Sequence, residues 1–492
     1  MAAVEKPFAP GDYDVVVVGS GPGGLQTSYC LARLGVDHAL LSADERPAGM
    51  FQRWPIFERL ISWSKADAPA PRDSVEYERY DHNSLVADEP EQRALVPAAM
   101  GRESVFPTRA EMEAGLRAFQ EQTGVRVRFG CRWESTAVRD GGFVLTTSDG
   151  EYRCRFVVFA VGMTEPWKPE LRGAEDVPHY AEVGAASDFA DKRVVLIGKR
   201  NSAFELADGL LPWARRIVLV SPRAAQIDVL AHATIRPRYF QPLEEHQIGG
   251  GAFAVDAAVE RVERASNGGF RVHVAGTTWP GSLVLDADAV IVATGFAVPL
   301  GDLPEVGVAT LLGGRMPALN PYWESISVPG VFFAGNATVG SPGLRKHGSG
   351  SASTSVRGFR YNARVLARHI AERLEHAEPR AEPLAADDVP AFLARQFRGC
   401  SELWGQKAYL ARVVTLEDGR AFDRGVHPLW HFVDEQEGDA VAVTIETDRH
   451  GVTFPSVYVR RDGRLTERPL DPHPLNDFAG EGYERAVAAL VR

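Results

Sequence analysis

The chain has 492 residues, 45% of them apolar and 24% charged, which excludes disorder and collagen-like architecture and suggests roughly three domains. Lys plus Arg total 54 against 65 Asp plus Glu, and the net charge of −11 argues against nucleic acid or a membrane as the main partner. Four scattered cysteines, Cys30, Cys131, Cys154 and Cys400, show no C-x-x-C spacing, which argues against a disulfide scaffold, a dithiol centre and a zinc cluster. No His/Asp/Glu cluster has metal-ligand spacing, so no metal is expected. The opening residues lack a signal-peptide pattern, the end is no retention signal, and no apolar run reaches the roughly 18 residues of a membrane span. A reduced, cytoplasmic protein is the expectation.

Residues 14–18 are a β-branched run typical of a buried parallel strand. The run leads into Gly19-Ser20-Gly21-Pro22-Gly23-Gly24, then a helical stretch to about Leu34, then a second strand at 38–41. This is a βαβ unit with G-x-G-x-x-G in its expected place. Gly19 permits the tight turn, Gly21 lets backbone approach a pyrophosphate, and Gly24 lets the helix pack closely on the strand. The helix N-terminus offers its free N–H groups to the phosphates. The acidic residue that grips the ribose belongs near position 42, where Ser42 stands; Asp44 is either the sugar contact or an exposed loop charge.

A second βαβ unit begins at residues 192–197 and turns at Gly198-Lys199-Arg200-Asn201-Ser202, with a helix from 204 to about 211 and a strand at 217–220. Arg200 replaces the middle glycine, so the nucleotide must sit differently or bind more weakly. Lys199, Arg200, Arg215, Arg216 and Arg223 surround this unit. Ser221 and Arg223 stand where a carboxylate would select NADH, which favours a 2′-phosphate and hence NADPH; the alternative is an ordinary basic surface.

Two further strands exit into small residues: 157–162, with Ala160 and Gly162, and 290–295, with Ala293, Thr294 and Gly295. A third, 331–336, ends in Gly335 and Asn336, where backbone can approach the flavin's ribityl-phosphate chain. Residues 348–354 open a helix running to about Leu374, whose N–H groups would face an anion. The pattern predicts an α/β fold with two dinucleotide-binding, Rossmann-like domains. The expected boundaries are 1–163 and 288–378 for the FAD domain, 164–287 for an inserted NADPH domain, and 379–492 for a C-terminal α+β domain. Residues 376–388, rich in Pro, Ala and acids, read as a linker.

In combination, Gly49-Met50-Phe51, residues 60–65, Asp81-His82-Asn83-Ser84-Leu85, residues 105–107, residues 201–205 and Arg357-Gly358-Phe359-Arg360-Tyr361 carry a family likeness over about 12–375. On them the chain resembles the flavin-containing monooxygenase group (class B flavoprotein monooxygenases). Within that group it is similar to the FAD-dependent oxidoreductase domain-containing proteins of the endoplasmic reticulum and their bacterial relatives. The broad group also includes single-component flavin-dependent halogenases. The resemblance implies bound FAD, reduction by NADPH, capture of O2 as a flavin C4a-(hydro)peroxide, and a small-molecule substrate. In the monooxygenases an asparagine three residues before a lysine helps hold that state. Counting back from Lys65, this chain has Ser62, which weakens the inference to amine N-oxygenation.

The catalytic candidates are therefore Ser62, Lys65 and Asn83. Lys65 either donates to the oxygen-transferring species or anchors FAD; Asn83 either bonds the isoalloxazine or forms a turn. Phe51, Trp54, Phe57 and Trp63 either wall the pocket or are plain core. Trp133 joins the cofactor-binding set, as does Lys346, which with Arg345 and His347 either faces the cofactors or is a solvated loop. His179, in the link to the second domain, reads as structural. The expected function is a single-component FAD- and NADPH-dependent monooxygenase. The alternatives are a halogenase of an aromatic substrate, or a flavoprotein with a mainly protein-binding role; a homodimer is the candidate assembly.

Overall fold

The computed structural model describes residues 6–225, 237–266, 268–341, 343, 347 and 352–491. Two compact units divide the chain, Met1–Met163 with Val298–Arg492, and Thr164–Ala297. In the first unit, strand β1 (Gly11–Val18) lies between β2 (His38–Leu41) and β5 (Gly150–Phe159), parallel to both. That central place explains why Val15–Val18 are all buried and need no polar alternation. Helix α1 (Pro22–Arg33) starts with proline, whose fixed φ suits the first helical turn, and packs Leu25 and Leu31 into the core. Helix α2 (Arg109–Gln122) begins at a capping box in which Thr108 and Glu111 satisfy each other's backbone N–H groups.

Strands β3 (Trp133–Arg139) and β4 (Gly142–Thr147) form an antiparallel hairpin continued by the first half of β5. The second half of β5, from Val157 on, changes partner and pairs in parallel with a strand contributed from far along the chain.

The second unit is a sheet built around β6 (Arg193–Ile197). Helix α3 (Asn201–Leu210) follows it, then β7 (Arg216–Ser221), β8 (Ala252–Arg264), β9 (Phe270–Gly276), β10 (Ser282–Ala287) and β11 (Ala289–Val292). The order β10-β9-β8-β7-β6-β11 joins four parallel strands to an antiparallel extension. The sequence reading ended this unit at 287. The structure extends it, because buried Val290–Val292 pair with Val195–Ile197 and belong to this sheet.

The chain returns to the first unit at Val298, and there forms β12 (Val331–Phe333), the late partner of β5, and helix α4 (Val356–Arg373). A six-stranded antiparallel sheet follows: β13 (Glu382–Leu384), β14 (Leu410–Glu417), β15 (Arg420–Pro428), β16 (Asp439–Thr447), β17 (Thr453–Arg461) and β18 (Arg464–Pro469). Along β16 the side chains alternate strictly. Val441, Val443 and Ile445 pack toward helices α5 (Val389–Gly399) and α7 (Glu481–Val491), while Ala440 and Ala442 pack toward α6 (Leu429–Asp434). The expected linker at 376–388 is corrected here. Its residues 382–384 form the edge strand β13 on β15, and Arg380 pairs with buried Asp423. The sheet is also stitched into the first unit, since Gln406 binds Ala352, Ser353 and Asn362, and Tyr409 donates to Ser341.

Candidate cofactor and reaction site

The first glycine turn shows what each residue does. Gly19 has φ +109, and a Cβ there would meet the Ala160 carbonyl oxygen at 2.6 Å. Gly23 faces Gly335 so closely that a Cβ would lie 2.5 Å from the Gly335 Cα. Gly21 differs: its φ of −69 suits any residue, and the nearest atom to an added Cβ, the Gly49 Cα, is 3.9 Å away. The Gly21 and Gly49 backbones thus approach closely at the start of α1, and a Cβ on Gly49 would lie 3.0 Å from the Gly21 Cα. The N–H groups of Gly23 and Gly24 have no intrahelical acceptor there, and the first turn carries no acid. Asn336 adds a buried side-chain oxygen without a hydrogen-bond partner. The free N–H groups suit a pyrophosphate and the Asn336 oxygen can accept from a flavin N–H, so these residues fit a flavin dinucleotide.

Beside this turn, Ser20 and Ser42 share a 2.7 Å hydrogen bond, and the Ser42 hydroxyl accepts from the Asp44 N–H at 3.2 Å. The Asp44 carboxylate stands 3.8 Å from the Arg53 guanidinium. Pro22 is buried at the helix start, while Met50 and Phe51 lie half-buried in the short turn Gly49–Gln52. Trp133 packs its ring on Phe159, just before Ala160 and Gly162, and uses its indole N–H on Thr136. Lys346 and Arg345 lie outside the described residues, as do residues 348–351 of the anticipated helix start.

The second unit repeats the packing logic. A Cβ on Gly198 would lie 2.3 Å from the Ala293 carbonyl oxygen, the counterpart of Gly19 against Ala160. Thr294 donates to the Trp167 carbonyl, and Gly295 accepts from His179 at 3.0 Å. His179 is fully buried and also accepts from the Ala181 N–H, so it locks the link in place as a neutral ring, its pKa pushed down by burial. The basic cluster is less open than its sequence suggests. The Lys199 ammonium is buried in an ion pair with Asp256, Arg215 pairs with Asp191, and Arg216 lies over the Phe253 ring. Lys199, expected to face a nucleotide, is held by its neighbour strand instead. Arg200 and Arg223 are exposed, Asn201 and Ser202 open the helix beside them, and Ser221 contacts the Arg223 carbonyl at 3.4 Å.

The three catalytic candidates occupy one locality but differ in posture. Asn83 donates its amide to the Ser62 carbonyl and the Ser64 hydroxyl, each at 3.0 Å. Its amide hydrogens therefore clamp the 62–64 loop, where a bond to the isoalloxazine or a simple turn had been expected. Lys65 is fixed through its backbone, donating to Tyr80 and accepting from the Tyr77 hydroxyl, and its side chain is exposed. The organiser of the cluster is a residue absent from the candidate list. Buried Asp81 accepts from the Ser64 hydroxyl at 2.5 Å and from the N–H groups of Asn83 and Ser84 at 3.0 and 3.2 Å. The Asp-x-Asn-Ser order is an Asx-turn signal that marks it in sequence. His82 packs on Trp63 with ring centroids 4.2 Å apart and the planes tilted by 47°.

Helix α4 holds this segment from behind: Arg360 donates to the carbonyls of Ser84 and Glu78, and Tyr361 to the Glu78 carboxylate at 2.6 Å. Asp81→Ala would strand a hydroxyl and two backbone donors, at about 1–3 kcal/mol for each buried loss. We expect a lowered urea midpoint and weaker FAD retention, with Asp81→Asn intermediate; an unchanged midpoint and cofactor content would remove Asp81 from the site.

Comparison with known proteins gives this architecture its class. The chain belongs to the pyridine nucleotide-disulphide oxidoreductase family, whose model matches residues 16–335. It is an oxidoreductase with FAD and NADP(H) as cofactors, and its relatives agree with the flavin-containing monooxygenase-like group. A relative from Danio rerio, FAD-dependent oxidoreductase domain-containing protein 2, is 25% identical over 82% of this chain and 65% of its own length. The chain thus spans about two thirds of that protein. Ferredoxin--NADP reductase of Salinispora tropica is 28% identical over 70% of this chain and 92% of its own. Among solved structures, a flavin-containing monooxygenase from Stenotrophomonas maltophilia shares the fold, with TM-score 0.55 and 21% identity over 74% of this chain and 99% of its own. Among the described residues no helix is long and apolar enough to cross a membrane.

Proposed function

We propose that the chain is a single-component monooxygenase: NADPH and O2 are consumed, one oxygen atom enters a small molecule, and the other leaves as water with the NADPH hydride and a proton. The observation that carries this reading is the state of the cysteines. Disulphide reduction needs an accessible thiolate. Here all four cysteines are buried and unpaired, and burial pushes Cys30 up to about 11 and Cys154 up to about 12. Electrons have no dithiol to reach, which favours O2 as their acceptor.

FAD, when bound, supplies hydride acceptance and the activation of O2. The chain's own residues do the rest. Gly23 and Gly24 hold the pyrophosphate, Asn336 offers an acceptor to the flavin side, and the Asp81–Ser64–Asn83 cluster fixes the loop that carries Ser62 and Lys65. In the second unit Arg223 reads the 2′-phosphate. Losing a charged hydrogen bond to phosphate costs about 1.5–3 kcal/mol. Arg223→Ala should therefore weaken NADPH roughly ten- to a hundredfold in stopped-flow reduction and leave NADH nearly unchanged. Equal losses with both nucleotides would assign the phosphate to another residue.

The whole reading is tested by turnover under heavy-isotope O2 with candidate substrates, with and without bromide. Isotope in the organic product supports it. A brominated product in its place moves the chemistry to halogenation. NADPH oxidation that requires an added one-electron carrier and takes up no O2 overturns it.

A further inference from the structure

A cavity of about 250 Å³ opens at the far end of α1 and α4, against strand β15 of the C-terminal sheet. At about 1.5 Å per residue, Arg33 stands about 15 Å along α1 from Gly23, so this space is separate from the glycine turn. A cavity of about 150 Å³ already holds benzene, so the volume suits one ring with a short polar arm. Leu34, Val365 and Val426 give it an apolar wall.

Its polar groups are unevenly satisfied. Tyr322 donates to His427 Nδ1 at 2.9 Å, and His427 Nε2 donates to the Arg424 carbonyl at 2.9 Å, so that imidazole is fully engaged. His369, stacked on Tyr322 with centroids 4.1 Å apart, has no hydrogen-bond partner among the described residues. Burial pushes its pKa down to about 4, so it is neutral and keeps one donor and one acceptor. Six arginines line the space, and each is ion-paired: Arg33 and Arg364 with Asp88, Arg368 with Glu372, Arg380 and Arg412 with Asp423, and Arg424 with Glu417. Arg368 uses Nε on Glu372 and Nη2 on the Glu378 carbonyl, while Arg412 uses Nε and Nη2 on Asp423. Nη1 of each has no partner among the described residues.

We propose that this cavity binds a small organic carboxylate, its apolar body on the Leu34–Val365–Val426 wall and its oxygens toward His369 and the arginines Arg368 and Arg412. The Nη1 groups of Arg368 and Arg412 and the His369 imidazole offer donors beside an apolar wall, and charge-assisted hydrogen bonds favour a carboxylate over its neutral amide.

The test is calorimetric titration of the FAD-loaded full chain with benzoate and with benzamide, its neutral counterpart. One benzoate per chain is expected, with benzamide weaker by about tenfold or more. Arg368→Met removes a half-exposed guanidinium and should weaken benzoate roughly ten- to a hundredfold, with His369→Phe as a second variant expected to weaken it too. In each, the flavin spectrum and the rate of reduction by NADPH should match the unaltered protein. Absence of benzoate binding at millimolar concentration overturns the proposal. So does equal binding of benzamide, a perturbed flavin spectrum on benzoate addition, or unchanged benzoate affinity in Arg368→Met.

Discussion

A Gly21→Val protein is expected to fold and to be colourless. Valine is compatible with the φ of −69, and its Cβ would touch only the Gly49 Cα, at an ordinary contact distance of 3.9 Å. The methyl groups would reach beyond that contact, over the turn proposed to hold the pyrophosphate. Losing two backbone hydrogen bonds to a charged phosphate, at about 1.5–3 kcal/mol each, weakens FAD by a factor of roughly a hundred or more. Flavin absorbance per chain, read beside a thermal unfolding curve, checks the result. A folded variant with its full complement of FAD would mean that this turn is not the flavin site. The contrast with Gly23 and Gly24 sharpens the experiment, because a side chain there strikes backbone and disturbs folding whatever is bound.

Lys65→Met is expected to separate NADPH consumption from product formation. The Lys65 backbone is secured by Tyr77 and Tyr80 and its side chain is exposed, so methionine keeps the fold and removes only the charge. If the ammonium assists oxygen transfer, NADPH oxidation continues, hydrogen peroxide rises, and the transfer step slows roughly a hundred- to a thousandfold, as when one preorganised donor is removed. If it anchors FAD, cofactor and all activities fall together. Full FAD with normal product yield would refute both roles.

Much of the scaffold was legible in the sequence because it is local. The Val15–Val18 run, the glycine turn and the 38–41 strand are neighbours in sequence and in space, so periodicity and turn chemistry found them. The boundary at 287 failed for the opposite reason: Val290–Val292 look like any buried strand, and only pairing with β6 says which sheet they join. The pairing of Lys199 was not legible because Asp256, its partner, lies on a strand reached after another crossover. Within the candidate site, Ser62, Lys65 and Asn83 were visible as a motif, and Asp81 was visible within it as an Asx-turn residue. Its hold on the Ser64 hydroxyl, 17 residues earlier, was not, because no spacing rule encodes that contact. The edge strand at 382–384 was hidden by its linker-like composition.

The contact between Gly23 and Gly335 has a consequence for synthesis on the ribosome. The two sides of this contact, the proposed flavin cradle, are about 310 residues apart, so at 5–20 residues per second the second emerges roughly 15–60 s after the first. During that interval the whole inserted unit is made, and the 157–159 edge of β5 is exposed without β12, its eventual partner. The nascent chain thus passes through a stage in which one Rossmann sheet is open-edged. On the proposed flavin assignment, the cradle and that edge are completed together, when residues 331–336 arrive.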